Sequence, residues 1–423
     1  MSGRRIIAGR VMRVAGVIAA AVMVSGAGAG TGGAGAIGGP PERVLIDRAL
    51  SRSTVRVTGF AGASVSYVMG EAWPSGTVRT RQLSDVAAIV GAGERPEPAR
   101  AGTVVVELVD GTRLLGTLEP TGDPDRGEVR GTAIGTVPLG LDHLSRLVFD
   151  DGAAGSAGGS GSAPSDSDVV ELANGDRLEG LVVSLFPLVV EDVRDAGKKT
   201  ELSADRVRRV VMSNARREGG HSRVWLRDGS IVNIETFVKG EGGVLAGRAS
   251  VSGMPVDGPG PSLVVAPERV LALVMSGTEL VALSDVAVAA YRPGMGRRWA
   301  PGPSVVGGVA GGGVSGGGAL GGDIELCGPM TAEWELPKGA ARFSAGVELA
   351  AGARALGECT LVVEWGGKEI ARLELGGERW SGEVVAALEG GPGRLVMRVE
   401  SGGRGPVQNR VVLRQAMVLM ERH

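Results

Sequence analysis

Few side chains in this 423-residue chain are spaced for chemistry. Its three histidines, His143, His221 and His423, are scattered, and with only two cysteines, Cys327 and Cys359, they offer no zinc-binding spacing. No metal or cofactor is therefore expected. Neither His143 nor His221 stands beside a nucleophile-elbow motif that would complete a Ser-His-Asp site. Glycoside hydrolysis needs two carboxyl groups about 5–10 Å apart across a cleft. The pairs Asp123/Asp125, Asp150/Asp151 and Asp166/Asp168 fall instead in turn or linker contexts. The run Gly311-Gly312-Gly313-Val314-Ser315-Gly316 has GxGxxG spacing, but no strand leads in and no amphipathic helix follows, so a dinucleotide site is rejected. What remains is binding chemistry. Trp380, in Glu378-Arg379-Trp380-Ser381-Gly382, sits where a loop is expected, and Gln408 and Asn409 are polar groups in another loop. Trp365 shares a strand face with Leu361 and Val363, which places it in a core.

The elements that would position such residues repeat. Val106-Glu107-Leu108-Val109-Asp110-Gly111-Thr112-Arg113-Leu114 returns as Val170-Glu171-Leu172-Ala173-Asn174-Gly175-Asp176-Arg177-Leu178 and as Val224-Trp225-Leu226-Arg227-Asp228-Gly229-Ser230-Ile231-Val232. Alternation on both sides of Asp-Gly or Asn-Gly predicts a β-hairpin with a tight primed turn, in which both turn residues take positive φ. Each hairpin is followed by further strands and a closing phrase carrying Asp142, Asp205 or Glu268, read as caps on a single helical turn. Leu83-Ser84-Asp85-Val86 is echoed by Leu283-Ser284-Asp285-Val286, which suggests that the first and last segments complete one sheet system. Units of roughly 50–60 residues suit a small barrel or half-sandwich.

Composition bounds the rest. With 73 Gly and 21 Pro but 43% hydrophobic residues, the chain reads as folded units joined by Gly-rich segments. A net charge of −2 gives no field for nucleic acid or an anionic membrane. Arg4, Arg5, Arg10 and Arg13 precede a short apolar run from Val14 to Val24 and small-residue sites, the pattern of a secretory signal peptide and so of export, to periplasm, cell surface or medium. The run is too short for a comfortable membrane span. The expected organisation is a signal peptide at 1–36, β units at 43–90, 103–150, 168–213 and 222–291 (the last with a closing strand), a linker at 292–322, and a jelly-roll domain at 323–423. The fold class is all-β: tandem small barrels or half-sandwiches, then a jelly-roll sandwich. In an exported domain Cys327 and Cys359 could form a disulfide or stay a free pair.

The last third resembles a known family. Leu283-Ser284-Asp285-Val286, then Tyr291-Arg292-Pro293, then a Gly-rich approach to Trp334-Glu335-Leu336-Pro337 and Ala341-Arg342-Phe343-Ser344-Ala345-Gly346-Val347-Glu348-Leu349, is similar to exported bacterial, planctomycete-like proteins carrying the NPCBM module. That carbohydrate-binding module is also attached to family 98 glycoside hydrolases. Arg394-Leu395-Val396-Met397-Arg398-Val399-Glu400 fits a further family phrase. Where the family closes on an acid and a Trp, this chain has Asn409 and Leu413, so the module is a degenerate one. The resemblance implies a sandwich that binds carbohydrate and upstream units that are accessory. The expectation is a non-catalytic protein whose partner is a glycan or, alternatively, a cell-envelope protein; a divergent glycoside hydrolase is the least favoured reading.

Overall fold

The computed structural model describes residues 40–91, 102–149, 167–193, 195, 197–215, 222–238, 245–251, 262–276, 279–294, 301–306, 322–389, 393–406 and 408–421. The expected signal peptide, most of both Gly-rich linkers, the GxGxxG run, Asp150, Asp151, Asp166, His221 and His423 lie outside the described residues. The chain is all-β, as expected, and its first part is four five-stranded units. Barrel 1 holds β1 (Glu42–Asp47), β2 (Arg52–Ala61), β3 (Ser64–Met69), β4 (Arg79–Gln82) and β5 (Val86–Gly91). Barrel 2 holds β6 (Val104–Leu108), β7 (Arg113–Pro120), β8 (Arg126–Thr132), β9 (Gly135–Gly140) and β10 (Leu144–Phe149). Barrel 3 holds β11 (Asp168–Leu172), β12 (Arg177–Leu185), β13 (Leu188–Asp192), β14 (Lys199–Leu202) and β15 (Val207–Val211). Barrel 4 holds β16 (Ser222–Leu226), β17 (Ile231–Val238), β18 (Leu245–Ser250), β19 (Ser262–Val265) and β20 (Val270–Val274).

In every unit four strands meander, a one-turn 3-10 segment follows, and the fifth strand pairs back on the first. That is the connectivity of an SH3-like small barrel. A register shift bends β2 at Val57/Gly59, β12 at Val182/Ser184 and β17 at Ile234/Thr236, so one strand serves both halves of its barrel. Val106, Val170 and Val224, at matching places in the hairpins, are fully buried.

The hairpin turns differ from the primed type. Only the glycines take positive φ, at 80° for Gly111, 92° for Gly175 and 91° for Gly229, while Asp110, Asn174 and Asp228 do not. Gly111 N–H donates to Leu108 O at 3.0 Å and Leu108 N–H to Thr112 O at 2.8 Å, with the same pair of bonds in the other two copies. This is a three-residue loop, a type I turn followed by a left-handed glycine that forms a bulge. The acid or amide is there to accept, not to supply positive φ: Asp110 Oδ1 takes Thr112 N–H at 2.8 Å, Asn174 Oδ1 takes Asp176 N–H at 3.1 Å, and Asp228 Oδ1 takes Ser230 N–H at 2.8 Å.

The closing acids also differ from expectation. Asp142, Asp205 and Glu268 lie inside their 3-10 turns and make no side-chain cap. A backbone bond closes each turn instead, from the first residue of the closing strand to the first carbonyl of the turn. Each turn is then joined to its hairpin by a second backbone bond: Val109 N–H to His143 O, Ala173 N–H to Arg206 O, and Arg227 N–H to Arg269 O, all at 2.8–2.9 Å.

The same bonds reveal a fourth hairpin in barrel 1, where Arg48 N–H reaches Asp85 O and Asp47 N–H reaches Ser51 O. There Leu50, at φ 62°, occupies the glycine position, and Asp47 Oδ1 accepts from Ala49 and Ser51 N–H at 2.9 Å. Barrels join in pairs through their closing strands, β10 with β15 and β5 with β20, both antiparallel.

The remaining strands make the sandwich: β21 (Glu279–Ala282), β22 (Val288–Pro293), β23 (Ser304–Val306), β24 (Asp323–Cys327), β25 (Met330–Glu335), β26 (Ala340–Leu349), β27 (Glu358–Trp365), β28 (Lys368–Gly376), β29 (Ser381–Ala387), β30 (Arg394–Ser401) and β31 (Arg410–Met420). One sheet runs β23-β24-β31-β26-β29 with β21 also on β31, and the other runs β22-β25-β30-β27-β28. Trp334, Phe343 and Trp365 fill the core between them. β21, which follows barrel 4 directly, therefore pairs with the sandwich and not with a strand of the fourth unit.

Leu50 is wholly buried at the seam where Ile46, Ala88, Ala272 and Val274 of barrels 1 and 4 meet Met417 of the sandwich. A left-handed leucine costs about 1–2 kcal/mol, whereas burying its side chain contributes roughly 2–5 kcal/mol. Both Leu50→Ala and Leu50→Gly are thus expected to destabilise the protein. The usual penalty of Gly against Ala should vanish or reverse here, because only glycine relieves the backbone. Urea unfolding midpoints check this; a Gly variant about 1 kcal/mol below the Ala variant would contradict the strain.

Candidate functional site

Four connections gather at one end of the sandwich: 328–329, 350–357, 377–380 and 402–409. The register requires it, since Cys327 pairs with Arg410, Leu349 with Val411, Glu348 with Ser381, Glu358 with Gly376, and Cys359 with Ser401. Trp380 and Asn409 are held there by main-chain bonds. Leu349 N–H donates to Trp380 O at 2.9 Å, Ala350 N–H to Arg410 O at 2.8 Å, and Gly328 N–H to Asn409 O at 2.7 Å. β26 lies between the strands that follow Trp380 and Asn409, which sets those strands roughly 10 Å apart.

Trp380 is the exposed tryptophan among the described residues, with 40% of its surface accessible. Arg354 lies over it, with the guanidinium carbon 3.8 Å from the ring centroid. The planar cation is held in place by its own bonds, Nε to Leu349 O at 3.3 Å and Nη2 to Glu348 Oε2 at 3.4 Å. Stacking of a guanidinium on the negative face of an indole contributes on the order of 0.5–1 kcal/mol at an exposed site.

Gln408 is exposed at the same end, at φ 57°. Asn409 is buried: its amide donates to Gly405 O at 3.1 Å, and its Oδ1 is buried without a partner. The fold thus brings Trp380 and Gln408 to one surface and turns Asn409 inward, where it ties the 402–409 loop. Arg354 escaped the sequence reading because nothing in Ala351-Gly352-Ala353-Arg354 marks a cation bound for a ring 26 residues away. Trp365 is in the core, as its alternation implied, with its indole N–H donating to Glu389 O at 2.8 Å.

The two cysteines are free thiols. Cys327 ends β24 of one sheet, and Cys359 is the second residue of β27 of the other. Cys327 Sγ faces Glu325 Oε1 at 3.6 Å, and Arg410 Nε donates to the same carboxylate at 2.6 Å. Burial first, then the Glu325 charge, pushes the Cys327 thiol up, and burial pushes Cys359 up to about 11.

Of the carboxylates weighed for catalysis, Asp123 and Asp168 have structural tasks. Asp123 Oδ1 accepts Asp125 N–H at 3.1 Å within a turn, and buried Asp168 accepts from Val182 N–H, Ser213 N–H and Ser213 Oγ at 2.7–2.9 Å. His143 Nε2 meets Asp142 at 3.1 Å. Among the described residues no three His, Cys, Asp or Glu side chains are grouped to hold a metal, and no helix is long and apolar enough to cross a membrane.

No protein-family model and no curated protein matches this chain. Solved structures similar to it include the CBM51 module of a Clostridium perfringens GH95 protein in complex with methyl-galactose, at 14% identity over 33% of this chain and 99% of that one, TM-score 0.27. The tandem CBM51 modules of the family 98 glycoside hydrolase from Streptococcus pneumoniae match at 10% identity over 82% of this chain and 87% of that one, TM-score 0.28. The tandem CBM22 domain of Paenibacillus barcinonensis Xyn10C matches at 10% identity over 90% and 98%, TM-score 0.22. Likeness of this degree assigns no ligand.

Because both thiols are free, denatured but unreduced protein should titrate two thiols with Ellman's reagent, where a disulfide would give none. In native protein at pH 8 Cys327 should react slowly and Cys359 not at all. Reaction of Cys359 at a free-thiol rate would contradict its burial.

Proposed function

We propose that this is an exported, non-catalytic accessory protein whose terminal sandwich binds carbohydrate at the end that carries Trp380. One observation supports the reading above the rest. Trp334 and Trp365 of the same sandwich are in its core, while Trp380 stands exposed in a loop at the same end as Gln408. A fixed aromatic next to polar groups is the arrangement that gives a binding hot spot its area and orientation. The phrase-by-phrase resemblance of this third to a carbohydrate-binding module agrees with it, and the four barrels are read as support. Affinity electrophoresis through gels containing soluble polysaccharides tests the proposal. Trp380→Ala should lose retention by about tenfold or more, roughly 1.4 kcal/mol, at an unchanged melting temperature. Equal retention of both proteins, or none on any polysaccharide, would sink it.

A second reading, a scaffold for envelope proteins, is favoured by the outer strands of the barrels. β4 carries Arg79 and Arg81, β9 carries Pro138, and β14 carries Lys199 and Glu201, all of which discourage strand addition. β19, Ser262-Leu263-Val264-Val265, has neither charge nor proline, and Val264 within it is 67% exposed.

A further inference from the structure

We infer that the glycan taken at the Trp380 end is a carboxylated one; this rests on the proposed carbohydrate reading and narrows it. The ring face over which Arg354 lies is closed to the C–H surface of a neutral sugar, because a guanidinium already occupies it at 3.8 Å. That guanidinium has two of its nitrogens engaged, Nε with Leu349 O and Nη2 with Glu348, while Nη1 has no protein partner among the described residues. A planar donor edge held rigid against an indole matches a carboxylate, which accepts in the same plane.

The neighbouring charges agree. Glu348 is shared between Arg354 and Arg414, Glu325 is taken by Arg410, and Glu358 accepts Gly403 N–H at 3.2 Å with Arg404 at 3.8 Å. Arg379, which directly precedes Trp380, is exposed and has no side-chain partner among the described residues. Glu378 is the uncommitted carboxylate of the same turn and works against an anionic ligand. Arg354 and Arg379 would therefore receive the carboxylate, with Trp380 as the floor beneath Arg354.

The test uses the full chain in affinity electrophoresis against polygalacturonate, alginate and polysialic acid. Fully methyl-esterified polygalacturonate and neutral galactan and xylan serve as uncharged counterparts. At least one carboxylated polymer should retain the protein about tenfold more strongly than the uncharged ones, with retention falling as salt rises from 50 to 500 mM. Arg379→Ala should lose most of that retention, and Glu378→Gln should strengthen it. Arg354→Ala should lose it too and gain retention on neutral polymers, because the ring face is uncovered. Equal or better retention of the native chain on the methyl ester or the neutral polymers overturns the carboxylate inference and leaves the carbohydrate reading standing. No retention on any polymer overturns both. Equal retention by poly-glutamate shows an unselective anion surface and also overturns the inference. Melting temperatures of the Arg379→Ala and Glu378→Gln variants should equal the native value, so their effects report binding.

Discussion

The seam between barrels 1 and 4 and the sandwich is the contact on which the arrangement of the chain depends. Paired closing strands give each pair of barrels a common outer face, and the two pairs use it differently. In barrels 2 and 3 that face carries Glu107 with Arg146 and Glu171 with Arg209. At the matching places barrels 1 and 4 carry Ile46, Ala88, Trp225 and Ala272, which pack on Met417, Leu280 and Leu419 of the sandwich. Apolar side chains are needed because a second sheet lies over them, and buried charge there would cost several kcal/mol.

One charge does cross the seam. Arg52 at the start of β2 donates through Nε to Ser344 Oγ at 3.1 Å and through Nη2 to Gln415 O at 2.8 Å, with Glu383 3.5 Å away. Burial lowers the Arg52 pKa and raises that of Glu383, each partly offset by the other's charge. Gln415 stands at φ 46°, where β31 passes from pairing with β24 to pairing with β21. The arginine thus satisfies carbonyls that the kink frees. It also fixes which way the sandwich faces: one sheet is covered by barrel, and the loop end with Trp380 is left open.

The repeat, the all-β class and the terminal sandwich were legible because period-2 alternation and Asp-Gly pairs report local geometry directly. The turn type was not, since Asp before Gly is compatible with a primed turn and with a type I turn plus bulge; the choice lies in whether Asp110 Oδ1 accepts from Thr112. The hairpin of barrel 1 was hidden because Leu50 replaces the glycine and Asp47 moves the accepting carboxylate upstream. The contrast between Glu107 and Ile46 was on the page of the sequence, but it acquires meaning only once the sandwich is seen to rest on one pair of barrels. The exposed loop position of Trp380 was legible from its context. Arg354 was not, because a cation–π contact between two loops leaves no spacing to read.

The two readings of function place a partner on different elements, β19 or the loops around Trp380, and hydrogen exchange locates it directly. With the polysaccharide that best retains the protein, backbone amides of residues 349–357 and 402–410 should exchange several-fold more slowly, while those of β19 and of the seam stay unchanged. Slowing at β19 with none at the Trp380 end, or no change anywhere, would contradict the account.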